Sequence, residues 1–260
     1  TSDPAPTVSP ETAKLLLDSL CTLMRFVFMR GEITRAWCRT TLVALPKKGV
    51  PKSANDVRGI ALTSHVAKLG SSITACRMGQ LRLGQWQCGF RASRATSHAV
   101  ATAAEIIHRH RLAATPLYGV FIDCTKAFDS VNRTLMLRAL ECQGVGPNTR
   151  AIIEATFDDE MNVRDDDNFF QSFAGVRQGD NMSPAIFVAV LDLVVRMSNL
   201  EPFSVSRNGP NAAPLDATLL GYADDLLLMD SDASRLQRNL DKLTATLRIF
   251  GLEINVAKTK

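Results

Sequence analysis

Two adjacent aspartates, Asp224 and Asp225, lie between two short apolar segments, residues 218–220 and 226–229. On a regular strand consecutive side chains point to opposite faces, so one of the two carboxylates would enter the core, where an ionised group is costly to desolvate. A hairpin whose tip spans Tyr222 to Asp225 avoids this cost, because both carboxylates can then lie at the edge of the sheet. The pattern therefore predicts a hairpin that carries two acidic groups.

A third carboxylate, Asp123, follows the apolar segment 117–122, which we predict to be a strand. If this strand neighbours the hairpin, each carboxylate pair about 4 Å apart repels by about 4 kcal/mol at an effective dielectric constant of ~20. The summed repulsion is comparable to a domain's whole stability of ~5–15 kcal/mol, so the cluster needs protons or cations. Oxygen-only ligands favour Mg²⁺ or Mn²⁺ over zinc. Spacing alone leaves open two unrelated acidic turns.

The charges of the chain are distributed unevenly. The 260 residues carry a net charge of +4 and are 46% hydrophobic, which is enough for a sizeable core. Residues 1–111 hold 16 Lys and Arg against 6 Asp and Glu, whereas residues 112–260 hold 14 against 20. The basic half suggests a polyanionic partner, and the acidic half would repel that partner unless cations intervene. Ordinary solvated surface charge is the competing interpretation.

The cysteines and the apolar segments bear on location. The six cysteines show no CxxC pairing, and we interpret them as reduced and structural; they are Cys21, Cys38, Cys76, Cys88, Cys124 and Cys142. No apolar run approaches 18 residues, so we expect no membrane partner. The first residues are rich in proline and lack both an initiator Met and a signal-peptide pattern. We expect a piece of a longer intracellular protein, nuclear or cytoplasmic and not secreted.

Hydrophobic periodicity predicts helices over residues 11–30, 97–112, 133–143, 147–157, 185–197 and 236–250. Short strands are predicted over residues 40–45, 59–62, 117–122 and 252–256. Ser183 is expected to cap its helix, with Pro184 at the first helical position. The acidic run at residues 158–167 is predicted to be a solvated loop. His108 and His110 are too few for a zinc site and are interpreted as part of a solvated helix end.

Seven segments of the sequence, in the same order and spacing, resemble motifs of the reverse transcriptases, in particular those of non-LTR retrotransposons and their group II intron relatives. The three acidic segments are FIDCTKAFD (121–129), GVRQGDNMSP (175–184) and YADD (222–225). The other four are LPKKG (45–49), DVRGI (56–60), QCGFRASRAT (87–96) and GLEINVAKTK (251–260). The resemblance covers about residues 31–260, and seven motifs in register are far more specific than any one of them.

The resemblance implies an α+β fold with the fingers and palm of a right-hand polymerase. Residues 1–10 would be a linker, residues 11–115 the fingers region and residues 116–260 the palm region. An antiparallel palm sheet would be backed by helices, and no thumb is expected within this sequence.

The resemblance also implies an activity, RNA-directed addition of deoxynucleotides to the 3′ end of a DNA primer on an RNA template. Carried over residue by residue, it implies that Asp123, Asp224 and Asp225 bind two Mg²⁺ ions, with Mn²⁺ as an alternative. Such ions would lower the pKa of the primer 3′-hydroxyl and neutralise the triphosphate and the leaving pyrophosphate. Lys258 matches the family lysine that protonates this pyrophosphate; the alternative is a fraying terminus.

Further positions match family residues that contact the substrate: Lys47, Lys48 and Arg58 at the triphosphate, Gln178 and Gly179 beside the nascent base pair, and Tyr222 in the YADD motif. For the three cations the alternative is ordinary surface charge. For Gln178 and Gly179 it is a plain turn at the entry to a helix. Phe128 matches the ring that excludes a 2′-hydroxyl, the steric gate; alternatively it is a core aromatic, like Phe121.

The sequence departs from the family pattern at two positions. Asp180 stands where many relatives have Cys, and it is expected to add a carboxylate near the substrate. Ala95 replaces a Ser, which removes a hydroxyl from an expected template or strand contact. Two other functions stay open: an RNA-directed RNA polymerase, which Phe128 argues against because such enzymes commonly place a polar residue there, and a non-catalytic RNA-binding module, which the retained carboxylates argue against.

Overall fold

The computed structural model describes residues 9–47, 49–53, 56–158, 160–163, 169–206 and 214–260. Its helices are α1 (Pro10–Arg30), α2 (Arg35–Cys38), α3 (His65–Met78), α4 (Thr96–Leu112), α5 (Ala127–Ser130), α6 (Arg133–Cys142), α7 (Pro147–Phe157), α8 (Ser183–Met197) and α9 (Ala233–Ile249). Its strands are β1 (Thr40–Pro46), β2 (Val57–Leu62), β3 (Tyr118–Ile122), β4 (Cys124–Thr125), β5 (Glu160–Val163), β6 (Phe169–Gln171), β7 (Ser204–Val205), β8 (Leu215–Asp216), β9 (Leu219–Tyr222), β10 (Asp225–Asp230) and β11 (Glu253–Ile254).

Two sheets organise the described residues. The first, which we call the carboxylate sheet, has the strand order β3-β10-β9 and is antiparallel throughout. The second, the four-stranded sheet, has the order β2-β1-β5-β6, and its β1 and β5 run parallel. Strands β5 and β6 come late in the chain, yet they extend the sheet that β1 and β2 begin. Two short pairs, β4 with β11 and β7 with β8, complete the strand pairing.

Helix α8 is the centre of the largest hydrophobic cluster. It packs against α3, α6 and α9, and α9 in turn packs against β10 and β3. Most α8 side chains are buried, including Phe187 and Leu191, because its sequence is apolar on nearly all sides. Each such side chain contributes about 1.5–3 kcal/mol when it leaves water. The carboxylate sheet is thus fixed from behind by helices.

A smaller cluster lies near the N-terminus. Helix α1 contributes Met24, Val27 and Phe28, which pack with Trp37 of α2 and residues of α3 and α7. Ser9 caps α1 by accepting a hydrogen bond from the backbone N–H of Thr12. Helices α1 to α3 therefore share with α7 a second core, much smaller than that around α8.

The predicted helices are confirmed to within a few residues, but α3 was not predicted. Its sequence contains Gly70 and two serines, which lower helix propensity and hide the apolar period. The available signal was Ser64, whose side chain caps the helix by accepting from Ala67 N. Gly70 fits because a Cβ there would lie 2.8 Å from the ring of Trp37, so close packing overrides propensity.

Three details of the prediction are wrong. Helix α8 begins at Ser183 itself, so Met182, not Ser183, occupies the capping position. The final strand is limited to Glu253–Ile254. Part of the predicted acidic loop, Glu160–Val163, is strand β5, because its backbone pairs with β1; Asp159 and residues 164–168 lie outside the described residues.

The described residues contain no disulfide bond, as predicted. Only Cys88 and Cys124 are buried, whereas Cys21, Cys76 and Cys142 are exposed, so a structural role in packing fits only some of the six. Among the described helices, none combines the length and apolar character needed to cross a membrane.

Candidate active site

The hairpin that carries Asp224 and Asp225 is formed by β9 and β10. Tyr222 and Asp225 are its last paired residues, so Ala223 and Asp224 alone make the turn. Ala223 has φ of 57°, in the left-handed region. A residue with a Cβ pays about 1–2 kcal/mol for this conformation, so the turn needs support from its surroundings. The predicted hairpin tip is confirmed.

Asp123 lies beside this hairpin. The register of β3 and β10 pairs Ile122 with Leu226, and extending it by one residue places Asp123 next to Asp225. The backbone carbonyl of Asp123 accepts a hydrogen bond of 2.8 Å from Asn255 N, in the segment after β11. Strands β3 and β10 therefore bring the three predicted carboxylates to one edge of the carboxylate sheet.

The electrostatics of the site reflect this proximity. The pKa of Asp224 is raised, first by burial and also by repulsion from Asp225 and Asp123, against the opposing effects of its own backbone hydrogen bond and of Lys258. Burial, followed by the fields of the same three carboxylates, raises the pKa of Cys124 to about 12. The Cys124 thiol therefore stays protonated at neutral pH and is unsuited to act as a nucleophile or a metal ligand.

Lys258 contacts the same group of carboxylates. Its Nζ lies 3.2 Å from Asp123 Oδ2, and its side chain is largely exposed. The segment that carries it is anchored: Lys260 exchanges two backbone hydrogen bonds with Phe121 of β3, at 2.8 and 3.1 Å. This pairing argues against the alternative of a fraying terminus.

The carboxylates fit the donor chemistry of a divalent cation. Asp123 Oδ2 is shielded from solvent and finds no hydrogen-bond donor among the described residues, although Lys258 lies near it as an ion pair. The donors are oxygen only, and a cation would relieve the repulsion that raises the pKa of Asp224. In the described part of the chain, no three acidic, His or Cys side chains already converge tightly enough to hold a metal ion. Binding through Oδ2 therefore requires Lys258 to move.

A second part of the site is a cavity of about 370 Å³ between β1, β2 and the segment 174–178. Its lining includes Lys47, Lys126, Asp129 and Gln178. The pKa of Asp129 is raised by burial and is held back by the two lysines. Arg133 and Arg177 also line the cavity, together with several apolar side chains, so it carries cationic groups and is large enough for part of a nucleotide.

The other predicted triphosphate contacts are placed less directly. Arg58 is exposed on β2, opposite Leu45 of β1, and the described lining of the cavity does not include it. Lys48 lies outside the described residues. Of the three predicted cations, the structure therefore brings Lys47 to the cavity.

Gln178 and Gly179 form a turn against β2. The Gln178 carbonyl accepts a hydrogen bond of 2.7 Å from Ala61 N. Gly179 has φ of +102°, and a Cβ there would lie 3.0 Å from both Ala61 O and the Ile60 side chain. Glycine is therefore required for this close approach to β2, a reason different from the predicted approach to a base pair.

Phe128 is half-buried and stacks on Phe187 of α8, with ring centroids 4.7 Å apart and an interplanar angle of 14°. It thus packs against the core while part of the ring stays accessible. Phe121, the expected core aromatic, is 63% exposed on β3, so that expectation is wrong. Tyr222 is half-buried, and its ring lies 6.4 Å from that of Phe90.

Asp180, which we expected to add a carboxylate near the substrate, makes a buried contact with α3. Asp180 is only 5% exposed, and its carboxylate accepts a hydrogen bond from the hydroxyl of Ser71 in α3. The same hydroxyl accepts from Met182 N at 2.9 Å. Asp180 therefore joins α3 to the start of α8. Ala95 occupies the N-cap of α4, where it offers no side-chain acceptor.

The sequence prediction missed one residue at the hairpin, Gln87. It was noted only as part of the QCGFR motif, yet its buried side chain forms hydrogen bonds with both the backbone N–H and the carbonyl of Ala223. A single glutamine gives no periodic pattern from which its partner could be predicted, so only the three-dimensional arrangement reveals this contact.

Comparison with known proteins identifies the family. The family model described as "Reverse transcriptase (RNA-dependent DNA polymerase)" matches residues 45–260. The chain belongs to the reverse transcriptase family. The carboxylates, Gln87 and most of the cavity lining lie within the matched residues.

Relatives of this reverse transcriptase chain occur in insect retrotransposons. It is 26% identical over 237 residues to a "Retrovirus-related Pol polyprotein from type-1 retrotransposable element R2" of Popillia japonica, covering 89% of this chain and 33% of that protein. It is likewise 26% identical to the R2DM Pol polyprotein of Drosophila melanogaster, covering 99% of this chain and 24% of that protein. The chain thus spans a quarter to a third of the length of these relatives.

Solved telomerase structures share the fold. A Candida tropicalis telomerase in complex with a fragment of telomeric RNA superposes with a TM-score of 0.61 at 13% identity, covering 94% of this chain and 44% of the telomerase. The apo enzyme truncated from its C-terminal domain gives 0.56 at 14% identity, with 94% and 54% covered. At this identity the likeness shows a common reverse transcriptase and telomerase-like fold of helices and small sheets.

Proposed function

We propose that this chain is the polymerase module of an R2-type retrotransposon protein and adds deoxynucleotides to a DNA primer 3′ end on an RNA template. One observation carries the proposal: Asp123 and the hairpin pair, Asp224 and Asp225, meet at one edge of the carboxylate sheet. The pKa of Asp224 is raised there by burial first and also by repulsion from Asp225 and Asp123. Such a site suits in-line phosphoryl transfer, which needs positioned charge and no protein nucleophile.

In this proposal the carboxylate sheet and its helices are the palm, within residues 116–260, and residues 11–115 form most of the fingers. Strands β5 and β6 extend the fingers sheet, because β5 pairs with β1 and β6 pairs with β5. Helix α1 begins at Pro10, so a linker would be confined to the residues before it.

The three carboxylates would hold two Mg²⁺ ions, with Mn²⁺ as an alternative. When bound, these ions lower the pKa of the primer 3′-hydroxyl and neutralise the triphosphate. Lys258, released from Asp123 by the exchange of partners, protonates the leaving pyrophosphate in this scheme.

The substrate contacts follow from the cavity beside β1. Lys47 binds the triphosphate from the cavity wall, and Arg58 reaches it from β2 through a forked guanidinium. Gln178 and Gly179 contact the nascent base pair, and Tyr222 lines the approach to the carboxylates. The accessible part of Phe128 meets the sugar and excludes a 2′-hydroxyl.

Primer extension by the full-length protein tests this function. The assay uses matched RNA and DNA templates, and each is supplied with deoxynucleotides or ribonucleotides. We expect extension with deoxynucleotides on RNA, and Asp224→Asn should lower the rate by more than ~100-fold, since even partners behind a metal ligand affect activity 10- to 100-fold. Asp241→Asn, on the exposed face of α9, is the matched control.

Three outcomes would contradict the proposal. Near-parental extension by folded Asp224→Asn would remove that carboxylate from the site. Efficient use of ribonucleotides would indicate an RNA polymerase. RNA binding without any extension would indicate a non-catalytic module.

A further inference from the structure

Gln87 is completely buried, with 0% of its surface exposed, and it lies against the hairpin that carries Asp224 and Asp225. Its Oε1 accepts hydrogen bonds from Ala223 N at 2.9 Å and from Gly89 N at 2.7 Å. Its Nε2 donates to the Ala223 carbonyl at 3.1 Å. Because backbone N–H groups can only donate and a carbonyl can only accept, these partners fix the orientation of the amide. One side chain thus binds both polar groups of the left-handed residue.

The backbone around Gln87 places it there. Cys88 N donates to Gly221 O, and Gly221 N donates to Trp86 O, both at 2.8 Å, so residues 86–88 run alongside β9. A Cβ at Gly89 would lie 2.3 Å from Ala223 N. The segment therefore approaches the turn so closely that residue 89 has no room for a side chain.

The other end of the segment is fixed to the core. Asp192, buried in α8, accepts a hydrogen bond of 2.6 Å from Gly84 N. Arg91 donates to the carbonyls of Gly84 and Gln87, at 2.6 and 3.1 Å. Residues 84–91 thus form a bridge between the central helix and the hairpin, and Gln87 is the point where the bridge meets the turn.

The contact bears directly on Asp224. The Ala223 carbonyl belongs to the peptide plane that joins Ala223 to Asp224, and any rotation of this plane changes the direction of the Asp224 side chain. Ala223 itself disfavours the left-handed conformation, because it has a Cβ. Holding its N–H and its carbonyl together stabilises the one turn geometry that the structure shows.

We propose that Gln87 is a positioning residue, whose side-chain amide holds the turn at Ala223 so that Asp224 and Asp225 present their carboxylates for metal binding. The metal in this inference comes from the proposed function, whereas the contact between Gln87 and the turn rests on the geometry alone. Gln87 does not touch the reacting atoms; it acts through the backbone of the hairpin.

Two measurements on the full-length protein test the proposal with Gln87→Met, which keeps the side-chain length and removes all three hydrogen bonds. The first is hydrogen exchange of residues 219–230 in metal-free protein, where we expect exchange at least ~10-fold faster. The second is Mn²⁺ affinity, measured by the metal-dependent rise in Tm, where we expect a ~10- to 100-fold higher half-saturating concentration.

Gln143→Met is the matched control. Gln143 is partly buried, and it donates to the backbone carbonyl of Ala189 in α8, away from the hairpin. The Gln143→Met protein should be less stable than the unmutated protein, with unchanged hydrogen exchange in the hairpin and unchanged Mn²⁺ affinity. If Gln87→Met fails to fold, Gln87→Asn keeps an amide in the site but is too short to reach both groups of Ala223, and the same two changes are expected.

The outcomes separate the inference from the proposed function. A folded Gln87→Met protein with parental hairpin exchange and parental Mn²⁺ affinity would overturn the positioning role and leave the function intact. If the unmutated protein shows no Mn²⁺-dependent rise in Tm, the proposed metal site fails, and hydrogen exchange still decides whether Gln87 holds the turn. Equal defects in Gln87→Met and Gln143→Met would reduce Gln87 to a general contributor to stability.

Discussion

The two sheets of this chain differ in how they are held. In the carboxylate sheet, β9 is buried along most of its length and β10 alternates until its final, buried residues. In the four-stranded sheet, β1 and β2 leave many side chains exposed, and their order depends on six consecutive backbone pairs. The acidic groups therefore lie on or beside strands that a hydrophobic core holds in place. Lys47 and Arg58 lie on or beside strands that are held mainly by the backbone hydrogen bonds between β1 and β2.

This difference matches the demands of the two kinds of group. Carboxylates that share a cation must keep their positions within about 0.5 Å, which a packed core provides. Lysine and arginine have long, flexible side chains, so they can bind a phosphate from a less constrained backbone. Three pairs of substitutions, each with one member at each sheet or beside it, test this division, and a substitution of Phe128 sharpens it.

The largest expected effect separates two lysines. Lys258→Ala should slow the chemical step by ~10²-fold or more, most visibly at high pH, because it removes a proton donor. Lys47→Ala should instead weaken nucleotide binding by at least ~10-fold and leave the single-turnover rate at saturation nearly unchanged. Single-turnover kinetics at several nucleotide concentrations measure both quantities. Lys260→Ala, two residues from Lys258, is the control, and an unchanged rate in Lys258→Ala would remove Lys258 from the mechanism.

The next effect concerns stability. Leu228→Ala in β10, where the leucine is 0% exposed, should lower the free energy of unfolding by ~2–5 kcal/mol through lost burial and a cavity. Leu45→Ala in β1, where the leucine is 48% exposed, should cost below about 1 kcal/mol. Urea denaturation measures both. Similar losses at the two positions would show that the sheets do not differ in the way described.

In the proposed function, Phe128 lies between the core and the sugar of the incoming nucleotide. Replacing it with Ala should raise ribonucleotide incorporation relative to deoxynucleotide incorporation by ~5- to 150-fold, equivalent to the ~1–3 kcal/mol cost of overpacking a hydroxyl. Because the ring also stacks on Phe187, some loss of stability accompanies the change. Competition assays with both nucleotides measure the ratio. Phe121→Ala, an exposed aromatic nearby, should leave it unchanged, and a folded, active Phe128→Ala with unaltered sugar preference would disprove the gate.

The smallest expected effect is that Asp224 and Asp56 change the stability of the fold in opposite directions as pH changes. The pKa of Asp224 is raised, chiefly by burial, so in metal-free protein its protonated form favours the fold, and this contribution is lost as pH rises through its pKa. The pKa of Asp56, beside β2, is lowered by hydrogen bonds from Lys52 N and the Ser53 hydroxyl. Its contribution is present above its ordinary pKa and is lost as pH falls through the lowered value.

At pH 7 and without metal, Asp224→Asn should therefore raise Tm or leave it unchanged, whereas Asp56→Asn should lower it. Thermal unfolding between pH 3 and pH 7 measures both trends. Shifts of the same sign would contradict the assignment of repulsion to one sheet and of favourable hydrogen bonding to the other.

Sequence reasoning predicted the acidic hairpin from a local requirement, because adjacent aspartates between apolar segments demand a turn. Spacing alone left two unrelated acidic turns open, and the motif resemblance joined Asp123, which follows a predicted strand, to the pair. The amphipathic helices were also predictable, since α9 has a strong apolar period.

The remaining features depend on contacts between distant segments. Strand β5 pairs with β1, and its own four residues, EMNV, alternate over too short a run within an acidic segment to predict a strand. Asp180 was expected near the substrate because nothing in the sequence shows that Ser71, 109 residues away, binds it. Gln87 reaches the turn across 136 residues of sequence. Fold family, by contrast, was recognisable from motifs in order.

The hydrogen bond from Ala61 N to the Gln178 carbonyl has a mechanical consequence. It joins β2, in the four-stranded sheet, to the segment that leads into α8, the centre of the other core. Gly179 packs directly on Ala61 and Ile60, so the two segments are in close contact at this junction. A rotation of β2 about its axis must therefore break this hydrogen bond or move Gln178. A displacement of β2 in the four-stranded sheet is thus passed on to the packed helices behind the carboxylates.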